Sequence, residues 1–176
     1  MRVPFIAAWA VADPGNRNQE RLPIPAGAIQ DQLASVCDIF PTLLGLLDIP
    51  TPNGHVVDGY PLNTLLAGRH DSTRPEEFLM HYPHSPHRSD YFTVFRQGGW
   101  KVIYHYFPSK ASDDSHYQLY HLSEDPFEQR NLAAAEPGRL RAMMQGLIAS
   151  LEAHRAVYPV NSDGEVQRPL PPSTNP

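Results

Sequence analysis

A chain of 176 residues with 14 Lys+Arg, 19 Asp+Glu and a formal net charge of −5 has room for one ordinary domain, or for a small domain and part of another. No Lys/Arg cluster reaches the density of a nucleic-acid footprint, and no apolar run approaches the roughly 20 residues of a membrane span, so neither nucleic acid nor a membrane is an expected partner. The single cysteine, Cys37, excludes an internal disulfide framework and a Cys-based zinc site, and the 19 prolines point to short elements joined by many turns.

The opening MRVPFIAAWAVADPG lacks the pattern of a secretory signal, because its apolar stretch is short, contains Trp9 and has only Arg2 ahead of it. Within it, residues 3–11 (VPFIAAWAV) form a nearly unbroken apolar run. It reads as a strand buried on both faces, the kind found in parallel or mixed sheets. Such a strand needs neighbours, and the rest of the chain offers few. Residues 13–30 read as a polar loop punctuated by Pro and Gly. In SVCDIFPTLLGLLDIP, Asp38 is a candidate N-cap and Pro41 falls in the first turn, where its missing N–H is not needed. Ile39, Leu43, Leu46 and Leu47 follow helical spacing up to Pro50, which predicts a short, heavily buried helix over 39–48. Cys37 beside it reads as buried and inert. Leu62, Leu65 and Leu66 suggest one further helical turn.

From residue 76 the pattern changes to aromatic and β-branched runs: EEFLMHY (76–82), YFTVFRQ (91–97), WKVIYHYF (100–107) and YQLYHL (117–122). Gly98-Gly99 between the second and third runs marks a hairpin. Pro137 opens a helix to about residue 155, with Leu140, Met143, Met144, Leu147 and Leu151 as its apolar stripe. The fold class is therefore α+β: a small four-stranded antiparallel sheet with a packed C-terminal helix, preceded by a strand and a helix. Residues 157–176, ending RPLPPSTNP, read as a Pro-rich extended or disordered tail.

Six stretches of the chain are RVPFIAAW, SVCDIFPTLLGLLDIP, VVDGYPLNTLLAG, HYPHSP, FRQGGWKVIYHY and YQLYHLSEDPFEQRNLA. They resemble consecutive stretches of the sulfatase family, arylsulfatase-like members of the alkaline phosphatase superfamily, in family order and at family-like separations. The resemblance implies the C-terminal portion of a sulfatase. Residues 1–70 would be a C-terminal remnant of the large α/β domain, 71–156 the small α+β subdomain, and 157–176 the tail. The strand of 3–11 and the helix of 39–48 would then belong to the large domain.

Sulfate-ester cleavage needs an activated nucleophile, a cation to hold developing charge and an acid for the leaving group. The family makes its formylglycine nucleophile from Cys or Ser in C/S-x-P-x-R. Cys37 is followed by Asp38-Ile39, and Ser85-Pro86-His87-Arg88 has its Pro one place early, so neither matches. The family's calcium ligands, and the Lys and His that hold sulfate, lie upstream of its RVPF stretch. No catalytic residue and no metal ligand is therefore carried over. Calcium and formylglycine are expected in the full-length parent and not in this chain, which is expected to be inactive alone.

His81, His84 and His87 stand at intervals of three, but the intervening prolines keep the rings off a common helical face. The resemblance implies that His81 or His84 lines the substrate cleft, a reading that stands ahead of metal binding, with plain packing an equal alternative. Lys101, in Trp100-Lys101, could reach an anionic substrate, though a strand-edge position or a carboxylate partner is favoured; Arg96 is similar. His81, His84 and Lys101 are thus the candidate substrate-binding residues. Asp125-Pro126-Phe127-Glu128 with Asn131-Leu132 reads as a structural turn, as does Asp58-Gly59. The resemblance implies a sulfated small molecule or glycan as ligand and the N-terminal sulfatase domain as partner, with aryl sulfates, sulfated glycans and choline sulfate all open. It also implies a family whose members are often periplasmic or secreted. The other expectation is a stand-alone carbohydrate-binding or interaction module derived from a sulfatase.

Overall fold

The computed structural model describes residues 3–84, 90–108 and 115–173. The chain divides into two compact units, one up to Pro75 and one from Glu76 onward.

In the unit up to Pro75, helix α1 (Arg17–Arg21) starts at Asn16, whose side-chain oxygen accepts from the backbone N–H of Asn18 and Gln19. This short helix falls inside the span read as loop. A 3₁₀ turn (Val36–Asp38) leads into α2 (Ile39–Leu46), and α3 (Asn63–Leu66) supplies the further turn. Residues 3–11 form no strand. Val3, Phe5, Ile6 and Val11 are exposed, Ile6 at 90%. A strand is held by ladder bonds to neighbours, and the unit contains no other strand among the described residues to provide them. Helix α2 forms where the spacing puts it, but it is not heavily buried. Thr42 and Leu46 face inward, whereas Val36, Phe40, Leu43 and Leu47 stand between 46% and 79% exposed. Cys37, expected to be buried, is also exposed.

Asp38 does not cap α2 with its side chain. Its carboxylate is 2% exposed and accepts from the N–H of Ser35 (2.6 Å) and Tyr60 (2.8 Å), while pairing with the buried Arg74 guanidinium. Arg74 in turn donates to the carbonyls of Leu33, Tyr60 and Pro61. The pair thus ties three segments together. Gly59 completes the joint: a Cβ there would lie 2.1 Å from the Cys37 carbonyl oxygen.

The unit from Glu76 is an antiparallel meander, β1 (Glu77–Tyr82), β2 (Phe92–Gln97), β3 (Trp100–His105) and β4 (Tyr117–His121), in spatial order β1-β2-β3-β4. Gln97 pairs with Trp100 across Gly98-Gly99, and Gly98 takes a positive φ of 56°, which glycine adopts without a Cβ penalty. The alternation of side chains gives the sheet two faces. Leu79, Phe95, Val102 and Leu119 sit on one, under α4 (Pro137–Ala153), whose buried residues are Leu140, Met143, Met144, Leu147 and Leu151. Sheet and helix therefore form where the sequence patterns place them. No helix among the described residues is long and apolar enough to cross a membrane.

The outer edge of β4 is closed by Asn131. Its side-chain oxygen accepts from Leu119 N–H and Ala133 N–H, both at 3.0 Å, and its amide donates to the Tyr117 carbonyl. Leu132 N–H adds a bond to the Leu119 carbonyl. An unpaired strand edge is a template for other chains, and this side chain covers it. Asn131→Ala should destabilise the unit by about 1–3 kcal/mol, the cost of orphaned backbone groups. Asn131→Asp, which keeps the acceptor, should lose less. Urea melts followed by Trp100 fluorescence check the order of the two variants.

Residues 157–173 contain no helix or long strand, yet they are packed. Val160 bridges to Val166 across a turn held by the Asn161 side chain. Tyr158 joins the core of the sheet unit, and the Arg168 guanidinium lies over its ring.

Candidate functional site

The three side chains singled out by sequence do not come together. His81 lies on the helix-covered face of β1, paired in register with Thr93. Lys101 lies on the opposite face of β3, in the row of Phe78, Arg96 and Tyr120. His84 follows β1 and packs its ring against Tyr82, 5.2 Å between centroids; Tyr82 in turn stacks on Phe92. The Tyr82–Phe92–His105 row shares Lys101's face but stands four residues along the strand, or about 13 Å.

Each candidate has its own surroundings. His81 Nδ1 is 2.7 Å from Thr93 Oγ1, and Nε2 is 2.7 Å from the Val157 carbonyl oxygen. Burial holds the His81 imidazole below its ordinary pKa, against the pull of the Val157 carbonyl. Lys101 Nζ is paired with Glu128 Oε2 at 2.5 Å, both side chains largely buried. Burial alone would raise the Glu128 carboxyl; the Lys101 ammonium outweighs it and holds the carboxyl below the usual range. Of the three, His84 is the exposed one. His87 and the Ser85-Pro86-His87-Arg88 stretch lie outside the described residues.

The Asp125 turn is built as a turn. The Asp125 carboxylate accepts from the N–H of Arg130 (2.8 Å) and Gln129 (3.1 Å), which holds its pKa below the usual value. Glu128 adopts a positive φ of 58° there and reaches Lys101. The partnership of Glu128 with Lys101 was not visible in sequence, since it depends on where the turn aims its side chain.

The described residues do not fit the calcium and formylglycine of a sulfatase centre. Among the described residues no group of three or more His, Cys, Asp or Glu side chains converges as metal donors. The Asp38 carboxylate, buried and oxygen-rich, is taken up by Arg74 and two backbone donors. Cys37 is exposed on a 3₁₀ turn and is followed by Asp38-Ile39. An open groove in the unit up to Pro75, lined in part by Trp9, Pro14, Glu20, Pro23 and Pro25, contains none of the candidate side chains.

No family model matches the chain. Human arylsulfatase A is 32% identical to it over 174 residues, an alignment that covers 87% of this chain and 31% of that protein. Human arylsulfatase D is 27% identical over 175 residues, covering 88% of this chain and 28% of that one. The fold is similar to that of a solved protein in complex with its substrate D-glucosamine-2-N,6-O-disulfate. There the TM-score is 0.61 at 22% identity, over 75% of this chain and 26% of the other. The chain thus spans less than a third of the length of the arylsulfatases that it matches. Aligned with arylsulfatases over 87–88% of its own length, the chain belongs to the sulfatase family and fits the C-terminal portion of its members.

Proposed function

We propose that this chain acts as the C-terminal scaffold of a sulfuric ester hydrolase, contributing part of the substrate cleft wall while the rest of the enzyme supplies calcium and the formylglycine nucleophile. The observation that carries this reading is the bare apolar surface of the unit up to Pro75. Helix α2 has no charged residue, and Val36, Phe40, Leu43 and Leu47 recur at spacings of four, three and four along one exposed side. A helix that is apolar all round is one that is covered on all sides. The exposed apolar run of residues 3–11 in the same unit is of the same kind. The occupant proposed is the large α/β portion of a sulfatase, whose sheet would add a strand and cover α2.

A sulfated glycan is the proposed substrate class, supported by the disulfated glucosamine held by the structural neighbour. Among the candidate side chains, His84 is the one proposed to meet a sugar ring: it is exposed beside the Tyr82–Phe92 stack, whereas His81 and Lys101 are paired with Val157 and Glu128. A second reading, a stand-alone carbohydrate-binding or interaction module, draws on the sheet unit, whose core is closed by α4 and whose β4 edge is capped.

Incubated with an aryl sulfate and calcium, the pure 176-residue chain is expected to release no sulfate; calcium-dependent release would overturn the proposal. A hydrophobic dye should bind the chain strongly at 25 °C. A monodisperse chain that melts cooperatively and binds no dye would instead favour the module.

A further inference from the structure

One row of the sheet crosses all four strands on the helix-covered face: His81, Thr93, Tyr104 and Tyr117, each paired in register with the next. All four carry a polar tip. Residues 157–173 are tied to both ends of this row. At the β1 end the Val157 carbonyl meets His81 Nε2 at 2.7 Å, and the Tyr158 ring stands edge-on to His81 at 5.9 Å between centroids. At the β4 end the Tyr117 hydroxyl donates to the Leu170 carbonyl at 3.0 Å.

The direction of each hydrogen bond at the β1 end follows from the atoms. A carbonyl oxygen only accepts, so His81 Nε2 carries a proton and donates to Val157. In the neutral ring Nδ1 is then an acceptor, and the Thr93 hydroxyl donates to it. Thr93 Oγ1 is left to accept from the Tyr106 hydroxyl, 2.9 Å away. Thr93 is fully buried and Tyr106 3% exposed, so water cannot substitute for either hydroxyl. A second proton on His81, at Nδ1, would make Thr93 Oγ1 an acceptor from the imidazole, so that the hydrogen of either the Thr93 or the Tyr106 hydroxyl loses its acceptor. The cheaper response is for the imidazole to swing away from Thr93. Because one rigid ring holds Thr93 on one side and Val157 on the other, leaving the first also releases the second.

We propose that residues 157–173 are a strap, anchored to the last strand by Tyr117 and clasped to the first by neutral His81, and that acid opens the His81 end. The groups facing His81 favour the neutral ring. Burial opposes its charge, and His84 on the same strand end opposes it further; only the Val157 carbonyl favours it. Tyr106 and Tyr158 present neutral phenols, and the Arg168 cation lies over the Tyr158 ring. Among the described residues no carboxylate is paired with the imidazole. His81 is ordinarily near 6.5, and its value in the fold lies lower. The clasp is therefore fully present above 6.5 and is lost as pH falls through the lower folded value.

The test is nuclear magnetic resonance of the full chain. Ring ¹⁵N shifts should show His81 as the neutral Nε2–H tautomer at pH 7, with a titration midpoint below 6.5. Amide exchange at 157–170, corrected for intrinsic rates, should rise in step with that titration. His81→Phe keeps a ring against Tyr106 and Tyr158 but removes both nitrogens. It should raise exchange at 157–160 about tenfold at pH 7, the factor set by the loss of one hydrogen bond at the upper end of the usual net range, and abolish the acid-dependent rise. An Nδ1–H tautomer, a midpoint at or above 6.5, or strap exchange that ignores the His81 titration overturns the proposal. If His81→Phe fails to fold, the tautomer and midpoint of the unaltered chain still decide it. The inference concerns the sheet unit alone and stands apart from the substrate reading.

Discussion

Arg74→Ala should unfold the unit up to Pro75 while leaving the sheet unit folded. Asp38 and Arg74 are 2% and 7% exposed and face one another. Removing the guanidinium leaves a buried carboxylate with two backbone donors but no counter-charge, and strips the carbonyls of Leu33, Tyr60 and Pro61 of their donor. Breaking a buried pair in this way costs about 3–5 kcal/mol. The unit has little reserve against such a loss: its buried apolar set is Leu22, Leu46, Leu62 and Leu65. Replacing one tryptophan at a time with Phe separates the readouts, because Trp9 belongs to this unit and Trp100 to the sheet. Denaturant melts should show Trp9 emission shifting at far lower urea in Arg74→Ala, with the Trp100 transition unmoved. Arg74→Lys should recover only part of the loss, since an ammonium has no planar fork to reach Asp38 and three carbonyls together. Equal Trp9 midpoints in all three proteins would show that the pair contributes no net stability.

The same pair shows where sequence reading stops. Asp38 stands one residue ahead of an apolar helical run, the place of an N-cap, and the local pattern allows no other reading. Its actual partner is 36 residues away, brought in by the path of the chain between them. His81 is a parallel case: its partners Thr93 and Val157 are 12 and 76 residues distant, and only the strand register and the returning C-terminal segment make them neighbours. By contrast, the four strands and α4 were legible because each carries its own period, two along the strands and 3.6 along the helix, and the two apolar faces then match. Residues 3–11 fall between these cases. Their apolarity was plain and does call for burial, but apolarity does not say what pairs with the backbone. With no neighbouring strand in its unit the segment remains unpaired. The candidate substrate residues failed to converge for a related reason. Alternation sends His81 and Lys101 to opposite faces, and no motif spacing reveals that until the register is known.

Two substitutions one residue apart on α4 should separate packing from helix propensity. Leu147 is fully buried beneath the sheet, so Leu147→Ala removes its side chain from the centre of the core. A loss of about 2–5 kcal/mol follows from transfer and cavity costs together. Gly146 beside it invites the opposite change, since glycine inside a helix is worth about 1 kcal/mol less than alanine. Here that gain should not appear. A Cβ at position 146 would lie 2.7 Å from Phe95 Cε1, and Phe95 is 1% exposed at the centre of β2. The ring cannot retreat without disturbing Val102 and Leu119 in the same cluster. Overpacking of this kind costs about 1–3 kcal/mol, which outweighs the propensity term. Gly146→Ala is thus expected to destabilise the sheet unit, and Gly146→Ala combined with Phe95→Leu to recover stability relative to Phe95→Leu alone, because the smaller side chain admits the methyl group. Trp100-detected melts of the four variants and the unaltered chain give the answer: a stabilised Gly146→Ala would mean that α4 rides on the sheet loosely enough to move, and the close approach of Gly146 to Phe95 would not be what sets the distance between helix and sheet.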